Sequence, residues 1–247
     1  MEEVINTILA YNNSPKIIQR KDAFNFSIDS TILSFFVDIK KKVDKILDLG
    51  SGNGAIPLFL SLRTTKPIIG IEIQKDLVDM ANRSIAINHL ESQIKVMEGD
   101  IKGISKQLGL SSFNLIVSNP PFFKIETSPS LNESEYESIA RHEIKITMGD
   151  IIKEASLLLK DNGSLVMIQS TDRFLETLDL LKENNLIIKR LRFVYPRDKK
   201  DSYVFMFEAV KNGKSHGLKV MEPLYIFDKD DYSKEVLSYF HYHEVPL

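Results

Sequence analysis

Apolar runs alternate with amphipathic stretches along this chain from about residue 43 to residue 210. The alternation predicts β-strands joined by α-helices, which form a parallel sheet covered by helices. The runs that predict the parallel strands are VDKILDL (43–49), KPIIGIEI (66–73), IKVMEGD (94–100), FNLIVS (113–118) and GSLVMIQS (163–170). Two later runs, LIIKRLRFVYP and SYVFMFEAV, predict a final strand pair joined by the polar turn RDKKD. We therefore expect an α/β fold with a seven-stranded, mostly parallel sheet, one antiparallel strand and helices on both faces.

Amphipathic stretches before and between these runs predict the helices. STILSFFVDIKK precedes the first strand, and Asp29 or Ser30 should be its N-cap because short polar side chains cap helix starts. GAIPLFLSLR and KDLVDMANRSIAINHL should connect the first three strands. GDIIKEASLLLKDN should form the helix before the fifth strand and end at Asn162-Gly163, because these residue types adopt the left-handed conformation that follows a helix.

The composition is that of an ordinary globular protein, with 43% apolar and 27% charged residues among 247. No apolar stretch approaches the roughly 20 residues that span a bilayer, and the N-terminus MEEVINTILAYNNS lacks a basic region. We therefore expect a cytoplasmic protein without a membrane segment. The absence of cysteine excludes disulfides, thiolate zinc sites and cysteine nucleophiles. A net charge of −2 gives no global sign of nucleic-acid binding, so any such surface must be local.

A glycine-rich loop, DLGSGNG (48–54), joins the first strand to its helix. Open α/β sheets bind nucleotides at this point, because glycines let the backbone approach a ligand and the helix start offers free N–H groups. Glu72 ends the second strand, where a carboxylate can bond both hydroxyls of a ribose. Nicotinamide dinucleotides and S-adenosylmethionine both fit a glycine loop followed by such an acid.

The sequence favours S-adenosylmethionine over a dinucleotide. The spacing G-S-G-N-G departs from the G-x-G-x-x-G of pyrophosphate sites, and Asp48 would repel a diphosphate but attract an ammonium group. Asp100, in the EGD that follows the third strand, suits the exocyclic amine of adenine. Acids at three successive strand ends would attract a cationic sulfonium compound. The alternative interpretation is that these acids only cap helices and form turns.

The fourth strand ends in SNPPFFK (118–124), in which two prolines prevent both a longer strand and an immediate helix. Asn119 and the carbonyl of Pro120 can accept the two hydrogens of a planar amine, whose lone pair is otherwise delocalised. Phe122 offers a ring on which a flat substrate can stack, worth about 1–3 kcal/mol per base. These residues predict methyl transfer to a planar amine by orientation, without a metal. The alternative interpretation is a proline-rich strand exit with a buried phenylalanine.

Together these motifs resemble the class I S-adenosylmethionine-dependent methyltransferases that act on amines, whose fold is Rossmann-like. Four further segments narrow the resemblance: KDAFNFSIDSTILSFF (21–36), ARHE (140–143), YPRDKKDSYVFMFEAVKNGK and PLYIFD. In this order they are similar to the bacterial family that methylates N6 of the adenosine at position 37 of valine tRNA. The resemblance covers residues 12–240 and implies an enzyme whose partner is tRNA. We expect a monomer.

The resemblance also implies roles for individual residues. The residues that would contact the cofactor are Phe24, Asp48, Gly50, Gly52, Gly54, Glu72, Ile73, Asp100, Ile101 and Asn119. Phe24 and Phe26 would wall the cofactor, although aromatic residues two positions apart are as common in an ordinary strand core. Arg141 and His142 would touch the substrate. Phe122 stands where many amino-methylases have tyrosine, so a phenolic hydroxyl takes no part here.

The expected organisation is a single domain in three parts. Residues 1–42 should form a helical and extended segment that packs on the cofactor site, and residues 43–211 the Rossmann-like core. Residues 212–247 hold one short apolar run and one amphipathic stretch, and should form an annex to the core.

An RNA substrate requires a local basic surface for phosphate contacts. The basic residues near the carboxyl edge of the sheet or in the last hairpin are Lys124, Arg141, Arg190, Arg192, Arg197, Lys199 and Lys200. The alternative substrates are other planar amines: N2 of ribosomal RNA guanine, N6 of DNA adenine, or a protein glutamine amide. Enzymes of the last kind usually carry an N-terminal helical domain, for which residues 1–42 leave little room. A nucleotide-binding module that transfers nothing is the alternative of another class.

Overall fold

The computed structural model describes residues 2–11, 14–20, 27–122 and 146–242. The strands in these ranges are β1 (Glu3–Thr7), β2 (Lys16–Arg20), β3 (Ile46–Leu49), β4 (Ile68–Glu72), β5 (Ile94–Glu98), β6 (Phe113–Ser118), β7 (Leu159–Ser170), β8 (Leu186–Tyr195), β9 (Val204–Lys211), β10 (Lys219–Val220), β11 (Leu224–Tyr225), β12 (Phe227–Asp228) and β13 (Asp231–Tyr232). The helices are α1 (Ile28–Phe36), α2 (Ala55–Ser61), α3 (Lys75–Ile87), α4 (Ser105–Leu108), α5 (Met148–Leu158), α6 (Phe174–Glu183) and α7 (Lys234–Phe240), with a 3₁₀ turn at Thr171–Arg173. Within these ranges, none of the helices has the length and apolar content needed to cross a membrane.

The central sheet has the order β10-β8-β9-β7-β6-β3-β4-β5, with β11 also paired to β8. Strands β3, β4, β5, β6 and β7 run parallel to one another, whereas β9 runs antiparallel to both β7 and β8. The seven-stranded, mostly parallel sheet with one antiparallel strand is therefore confirmed. The two-residue strands β10 and β11 extend it along β8, so the annex completes the edge of the sheet.

Helices cover both faces of this sheet, and each face has its own apolar core. Successive residues of β3 point to opposite faces, so Ile46 joins one core and Leu47 the other. Helices α1, α2 and α3 pack on the Ile46 side, and α5 packs on the Leu47 side. Asp48 follows this alternation, and its side chain lies on the face covered by α1, α2 and α3.

The end of α5 differs from the expectation for Asn162-Gly163. The helix ends at Leu158 and the chain enters β7 at once. Asn162 has a left-handed φ of 60° inside an irregular stretch of β7, where the register with β6 shifts. A Cβ at Gly163 would lie 2.9 Å from the carbonyl oxygen of Lys160. On β6, Phe113 pairs with Leu159 and Leu115 pairs with Ser164, so the residues of β7 between these two pairs must loop out. The Asn-Gly pair therefore forms a turn within the strand.

The start of α1 also differs from the expectation. Ser27 is the N-cap, with extended φ and ψ of −94° and 167°, and Asp29 and Ser30 already belong to the first turn. Asp29 is not free to cap, because its carboxylate accepts a hydrogen bond from the Tyr203 hydroxyl at 3.2 Å. At the other end of α1, Arg63 donates to the carbonyl oxygens of Ser34 and Val37.

Residues on either side of the core pack against it at two places. The β1–β2 hairpin contacts α3, where the Ile18 N–H donates to Ser84 Oγ at 2.9 Å. Helix α7 of the annex packs on α1, with the rings of Phe35 and Tyr239 stacked at a centroid distance of 4.6 Å. Both contacts lie on the face of the sheet that carries Asp48.

Candidate active site

The carboxyl ends of β3, β4, β5 and β6 meet at one edge of the sheet, because these neighbouring strands run parallel. The pairing places Asp48 of β3 opposite Gly70 of β4 on one side and Val117 of β6 on the other. Asn119 thus lies two residues beyond the strand position that faces Asp48. The Ser118 hydroxyl donates to the Leu49 carbonyl at 2.8 Å and holds the end of β6 against β3. The structure therefore brings the glycine loop and the Asn-Pro-Pro-Phe motif together, as the sequence predicted.

Asp48 is a fully buried carboxylate with one oxygen that lacks a hydrogen-bond partner among the described residues. Its Oδ2 accepts a hydrogen bond from Ser51 Oγ at 2.7 Å, whereas Oδ1 has no partner among the described residues. Burial raises the pKa of Asp48 to about 7; the Ser51 hydrogen bond lowers it and the charge of Glu72 raises it further. A buried, unpaired carboxylate oxygen is costly, so this atom marks a place for a ligand donor, preferably a cation.

Ser51 reaches Asp48 only because residue 70 is glycine. A Cβ at Gly70 would overlap Ser51 Oγ and lie 2.9 Å from Ser51 Cβ. The side chain of Ser51 therefore occupies the space that the side chain of any other residue type at position 70 would fill. The two strands and the loop between them are fitted to one another around the Asp48 carboxylate.

The glycine loop turns sharply, since Gly50, Gly52 and Gly54 have φ values of 77°, 54° and 84°. A Cβ at Gly50 or Gly52 would meet no atom within 4 Å, so the space beside these glycines is open to a ligand. Four amides of the loop itself already donate hydrogen bonds within the protein. The N–H groups of Gly50 and Ser51 donate to the Ile71 carbonyl, that of Gly52 donates to Glu72, and that of Gly54 to the Ser51 carbonyl. A ligand can therefore approach the loop backbone closely, but these four N–H groups cannot donate to a phosphate. This argues against a dinucleotide.

Glu72 is buried at the end of β4 and holds the loop in place. Its Oε2 accepts from the Gly52 N–H at 3.0 Å, and its Oε1 from the Gln74 N–H at 2.9 Å. Each carboxylate oxygen has a second lone pair, so two ribose hydroxyls can still be bound. Ile73 beside it is half-buried.

After β5, Asp100 is exposed and Ile101 is buried. Asp100 Oδ1 accepts a hydrogen bond from the Lys102 N–H at 2.8 Å, which fixes the turn that carries it. A polar acceptor next to an apolar residue at this edge is the combination that an adenine ring with an exocyclic amine requires.

The side chain of Asn119 is held by the start of α1. Its Nδ2 donates to Ser30 Oγ at 3.1 Å, and no described residue donates to its Oδ1. Pro120 is buried, and Phe122 is half-buried against the core that contains α1. Asn119 therefore presents one free carbonyl oxygen at the edge of the sheet.

Sequence reasoning missed the side chains that support Asn119. Ser30 was predicted only as a helix cap, and Tyr203 had no predicted role. The Tyr203 hydroxyl ties Asp29, in the first turn of α1, to the start of β9. Burial raises the pKa of Asp29, and burial beside Asp29 raises the pKa of Tyr203. No local signal could have found this pair, since 174 residues separate its members.

The structure contradicts the expected RNA contact of Arg192. Its guanidinium is largely buried and forms two hydrogen bonds to the Glu235 carboxylate, at 2.6 and 2.7 Å, and another to the Glu222 carbonyl at 2.8 Å. Arg190 is also engaged, with Glu208 and with the Phe36 carbonyl. Both arginines anchor neighbouring elements to β8, because their strand positions face the protein rather than the solvent.

The remaining predicted site residues fall into two groups. Arg197, Lys199 and Lys200 are exposed in the turn between β8 and β9, with Arg197 over the Phe227 ring and 3.8 Å from Asp230. The predicted residues outside the described ranges are Phe24, Phe26, Lys124, Arg141 and His142.

An open groove of about 360 Å³ lies between α4 and α5, apart from Asn119. Lys102, Lys106 and Lys153 line it together with two acids. Asp150 is paired with Lys102 at 3.1 Å, and Glu154 accepts from the Ser105 N–H at 2.9 Å. The groove therefore carries charges of both signs, with one lysine more than acids.

The residues at the sheet edge fit S-adenosylmethionine. The unpaired oxygen of Asp48 matches the ammonium group of the methionine part, and the space beside Gly50 and Gly52 allows the ligand to lie against the loop. Glu72 and Asp100 offer acceptors for the ribose hydroxyls and the adenine amine. The ligand is cationic, which suits a site built from carboxylates.

Comparison with known proteins agrees with this geometry. Residues 27–193 match the family model described as methyltransferase small domain. A protein of Trichodesmium erythraeum named tRNA1(Val) (adenine(37)-N6)-methyltransferase is 30% identical over 64% of this chain, and one of the same name from Porphyromonas gingivalis is 36% identical over 51%. The chain spans 65% and 50% of the lengths of these two relatives.

Among solved structures, a predicted O-methyltransferase of Agrobacterium tumefaciens superposes with a TM-score of 0.67 at 19% identity. The superposition covers 86% of this chain and 95% of the other. At this identity the likeness concerns the fold, which is that of Rossmann-like class I methyltransferases. With a family match over more than half of its residues, the chain belongs to the methyltransferase small domain family.

Proposed function

We propose that this protein is an S-adenosylmethionine-dependent methyltransferase and that it methylates N6 of the adenosine at position 37, beside the anticodon, of a valine tRNA. The observation that carries the proposal is the position of Asn119, whose free carbonyl oxygen lies at the end of β6 next to the glycine loop on β3. The names of the two relatives point to the same reaction.

The chemistry of a planar amine explains why these residues suit the reaction. The lone pair of adenine N6 is delocalised into the ring, so the nitrogen is a poor nucleophile. Asn119 Oδ1 and the Pro120 carbonyl can accept its two hydrogens and draw the nitrogen toward tetrahedral geometry, which localises the lone pair. Phe122 is half-buried and can support the flat base by stacking. The residues act by orientation, which can supply a large part of the rate.

The cofactor supplies an electrophilic methyl group on a sulfonium. The side chains that would hold it are those at the ends of β3, β4 and β5, with Asp48 for the ammonium group, Glu72 for the ribose and Asp100 for the adenine. Phe24 remains a predicted wall of this site, within a segment 1–42 that we propose packs on it.

Contacts to tRNA phosphates are proposed for the exposed Arg197, Lys199 and Lys200, and for Lys124 and Arg141. Asp198 and Asp201 share the turn with these lysines, so the surface is mixed and its attraction for RNA is local. An adenine in an anticodon loop is unpaired, so turning it into the site costs less than flipping a base out of a duplex. The proposal places the enzyme in the cytoplasm, acting as a monomer.

The direct test is to incubate the protein with methyl-labelled S-adenosylmethionine and total tRNA, then identify the labelled nucleoside and its position by mass spectrometry. N6-methyladenosine at position 37 of valine tRNA is the expected product. Parallel reactions with ribosomal RNA, DNA and protein extract test the other planar amines, and label in one of them with none in tRNA would contradict the proposal. No transfer to any acceptor, with the cofactor bound, would identify a binding module.

The role of Asn119 has its own test. Asn119→Ala should abolish transfer and change the cofactor dissociation constant little, because Asn119 serves the substrate amine and the carboxylates of Asp48, Glu72 and Asp100 hold most of the cofactor. Asn114→Ala is the matched control: Asn114 lies on the same strand, β6, away from its carboxyl end. The control should keep its activity. Normal transfer by Asn119→Ala would remove Asn119 from the mechanism.

A further inference from the structure

Asn119 has a single side-chain hydrogen bond among the described residues. Nδ2 donates to Ser30 Oγ at 3.1 Å, and Ser30 is 8% exposed in the first turn of α1. The two residues are 89 positions apart, so the contact exists only because the fold brings α1 to the end of β6. With Nδ2 bonded to Ser30, Oδ1 is the end of the amide that faces away from α1.

An amide has an acceptor on one side and a donor on the other, and only the acceptor is useful to a substrate amine. If the NH₂ group of Asn119 faced the amine, donors would face donors and no hydrogen bond could form. We propose that Ser30 is a positioning residue: by accepting the hydrogen bond of Nδ2, it keeps Oδ1 of Asn119 directed at the amine that is methylated. The inference rests on the proposed role of Asn119.

The position of the Ser30 hydroxyl is itself fixed. The Ser30 N–H donates to the Ser27 carbonyl at 3.1 Å, which closes the first turn of α1. The Tyr203 hydroxyl donates to Asp29 in the same turn at 3.2 Å and ties it to β9. A hydroxyl on such a turn holds the amide in place. It could also donate to a flipped Oδ1, but only the orientation in which it accepts from Nδ2 leaves Oδ1 to the substrate amine.

The experiment measures kcat and KM for tRNA, the dissociation constant of S-adenosylhomocysteine and the melting temperature. Ser30→Ala should lower kcat roughly fivefold to tenfold, the effect of one lost neutral hydrogen bond. KM and cofactor binding should not change, since neither depends on the direction of the amide. Ser30→Thr, which keeps the hydroxyl, should restore most of kcat. Ser30→Cys keeps the size but accepts hydrogen bonds weakly, so its kcat should be intermediate.

Ser34→Ala is the matched control. Ser34 lies one turn further along α1, is fully buried, and its hydroxyl donates to the Ser30 carbonyl at 2.7 Å. An equal loss of kcat in Ser34→Ala and Ser30→Ala would show a general effect of the helix and overturn the inference. So would wild-type kcat in a folded Ser30→Ala or Ser30→Cys protein, or a Ser30→Thr protein as slow as Ser30→Ala.

Asn119→Ala separates this inference from the proposed function. If Asn119→Ala is inactive while Ser30→Ala is normal, the inference fails and the proposed role of Asn119 stands. If Asn119→Ala remains active, the role of Asn119 fails and the inference fails with it.

Discussion

Ser51 Oγ donates to Asp48 Oδ2 at 2.7 Å, whereas Asp48 Oδ1 has no hydrogen-bond partner among the described residues. The carboxylate is fully buried, and burial raises its pKa to about 7. Near neutral pH the free protein therefore holds a partly ionised carboxylate, and only one of its two oxygens has a hydrogen-bond partner among the described residues. A ligand that brings a cation to Oδ1 completes the site.

Cofactor affinity should rise with pH as Asp48 loses its proton, because only the anion attracts the ammonium group. Because the pKa of Asp48 is about 7, the dissociation constant of S-adenosylhomocysteine should fall between about pH 6 and pH 8 and then level off. Isothermal titration calorimetry across this range measures it. Asp48→Asn should bind more weakly, with a flat pH profile. A pH-independent constant in the unmodified protein would contradict the prediction.

The stability of the free protein should depend on Asp48 in the opposite direction. The folded-state pKa of about 7 lies above the value of about 3.9 in an unfolded chain, so folding favours the protonated form. The contribution of this carboxyl is complete below the unfolded pKa and is lost as pH rises through about 7. Urea unfolding of Asp48→Asn should thus show a growing advantage over the unmodified protein from pH 5 to pH 8. An advantage that shrinks with rising pH would refute the assignment.

Gly70→Ala should displace Ser51 and release Asp48 from its hydrogen bond. The added Cβ would lie 2.9 Å from Ser51 Cβ, too close for any side-chain rotation to relieve. We expect the free energy of unfolding to fall by about 1–3 kcal/mol, as for other overpacked sites, and cofactor affinity to fall as well. Gly149→Ala is the control, since its Cβ would meet Leu180 at 3.4 Å, an ordinary contact. Cofactor binding that survives in Gly70→Ala would show that Ser51 has no part in it.

Reversing two exposed charges in the β8–β9 turn should weaken tRNA binding. Lys199→Glu with Lys200→Glu should raise the dissociation constant and flatten its dependence on salt concentration, because fewer counterions are released from the RNA. Lys41→Glu with Lys66→Glu makes the same change of net charge before β3 and β4, at the opposite edge of the sheet. If the dissociation constant for tRNA rises equally in both double variants, the effect comes from net charge, and the β8–β9 turn is not a specific RNA contact.

Arg192→Ala should reduce stability and leave RNA binding unchanged. The arginine bonds Glu235 and the Glu222 carbonyl, so its loss detaches the annex from β8. Because Glu235 is partly exposed, the expected decrease in the free energy of unfolding is about 1–3 kcal/mol. The salt dependence of tRNA binding, measured as for the lysines, should keep its slope. A reduced slope would restore Arg192 to the RNA surface.

The strands and their order in the chain could be predicted because burial on both faces leaves a continuous apolar run. FNLIVS was predicted as a strand at 113–118, and β6 has those bounds. Element ends were harder, since a cap depends on what else its side chain can bond. Asp29 resembles an N-cap in sequence, but in the structure its carboxylate bonds Tyr203 and Ser27 is the N-cap.

Basic residues showed the limit of local reasoning most clearly. Arg192 and Arg197 are five residues apart and equally polar in sequence, yet one is buried against Glu235 and the other is exposed in a turn. They differ in exposure because the annex packs against β8 and covers Arg192 but leaves Arg197 exposed. No periodicity in the strand itself carries that information.

The sequence by itself determined the alternation of strands and helices, and it placed Asp48, Glu72, Asp100 and Asn119 at strand ends. In a parallel sheet those ends share one edge, so the residues had to meet once the strands paired. Only the tertiary structure decided that Asp48 keeps one oxygen unpaired, that Gly70 makes room for Ser51, and that Ser30 holds the amide of Asn119. These depend on distances between residues far apart in the chain, which packing sets and local sequence does not encode.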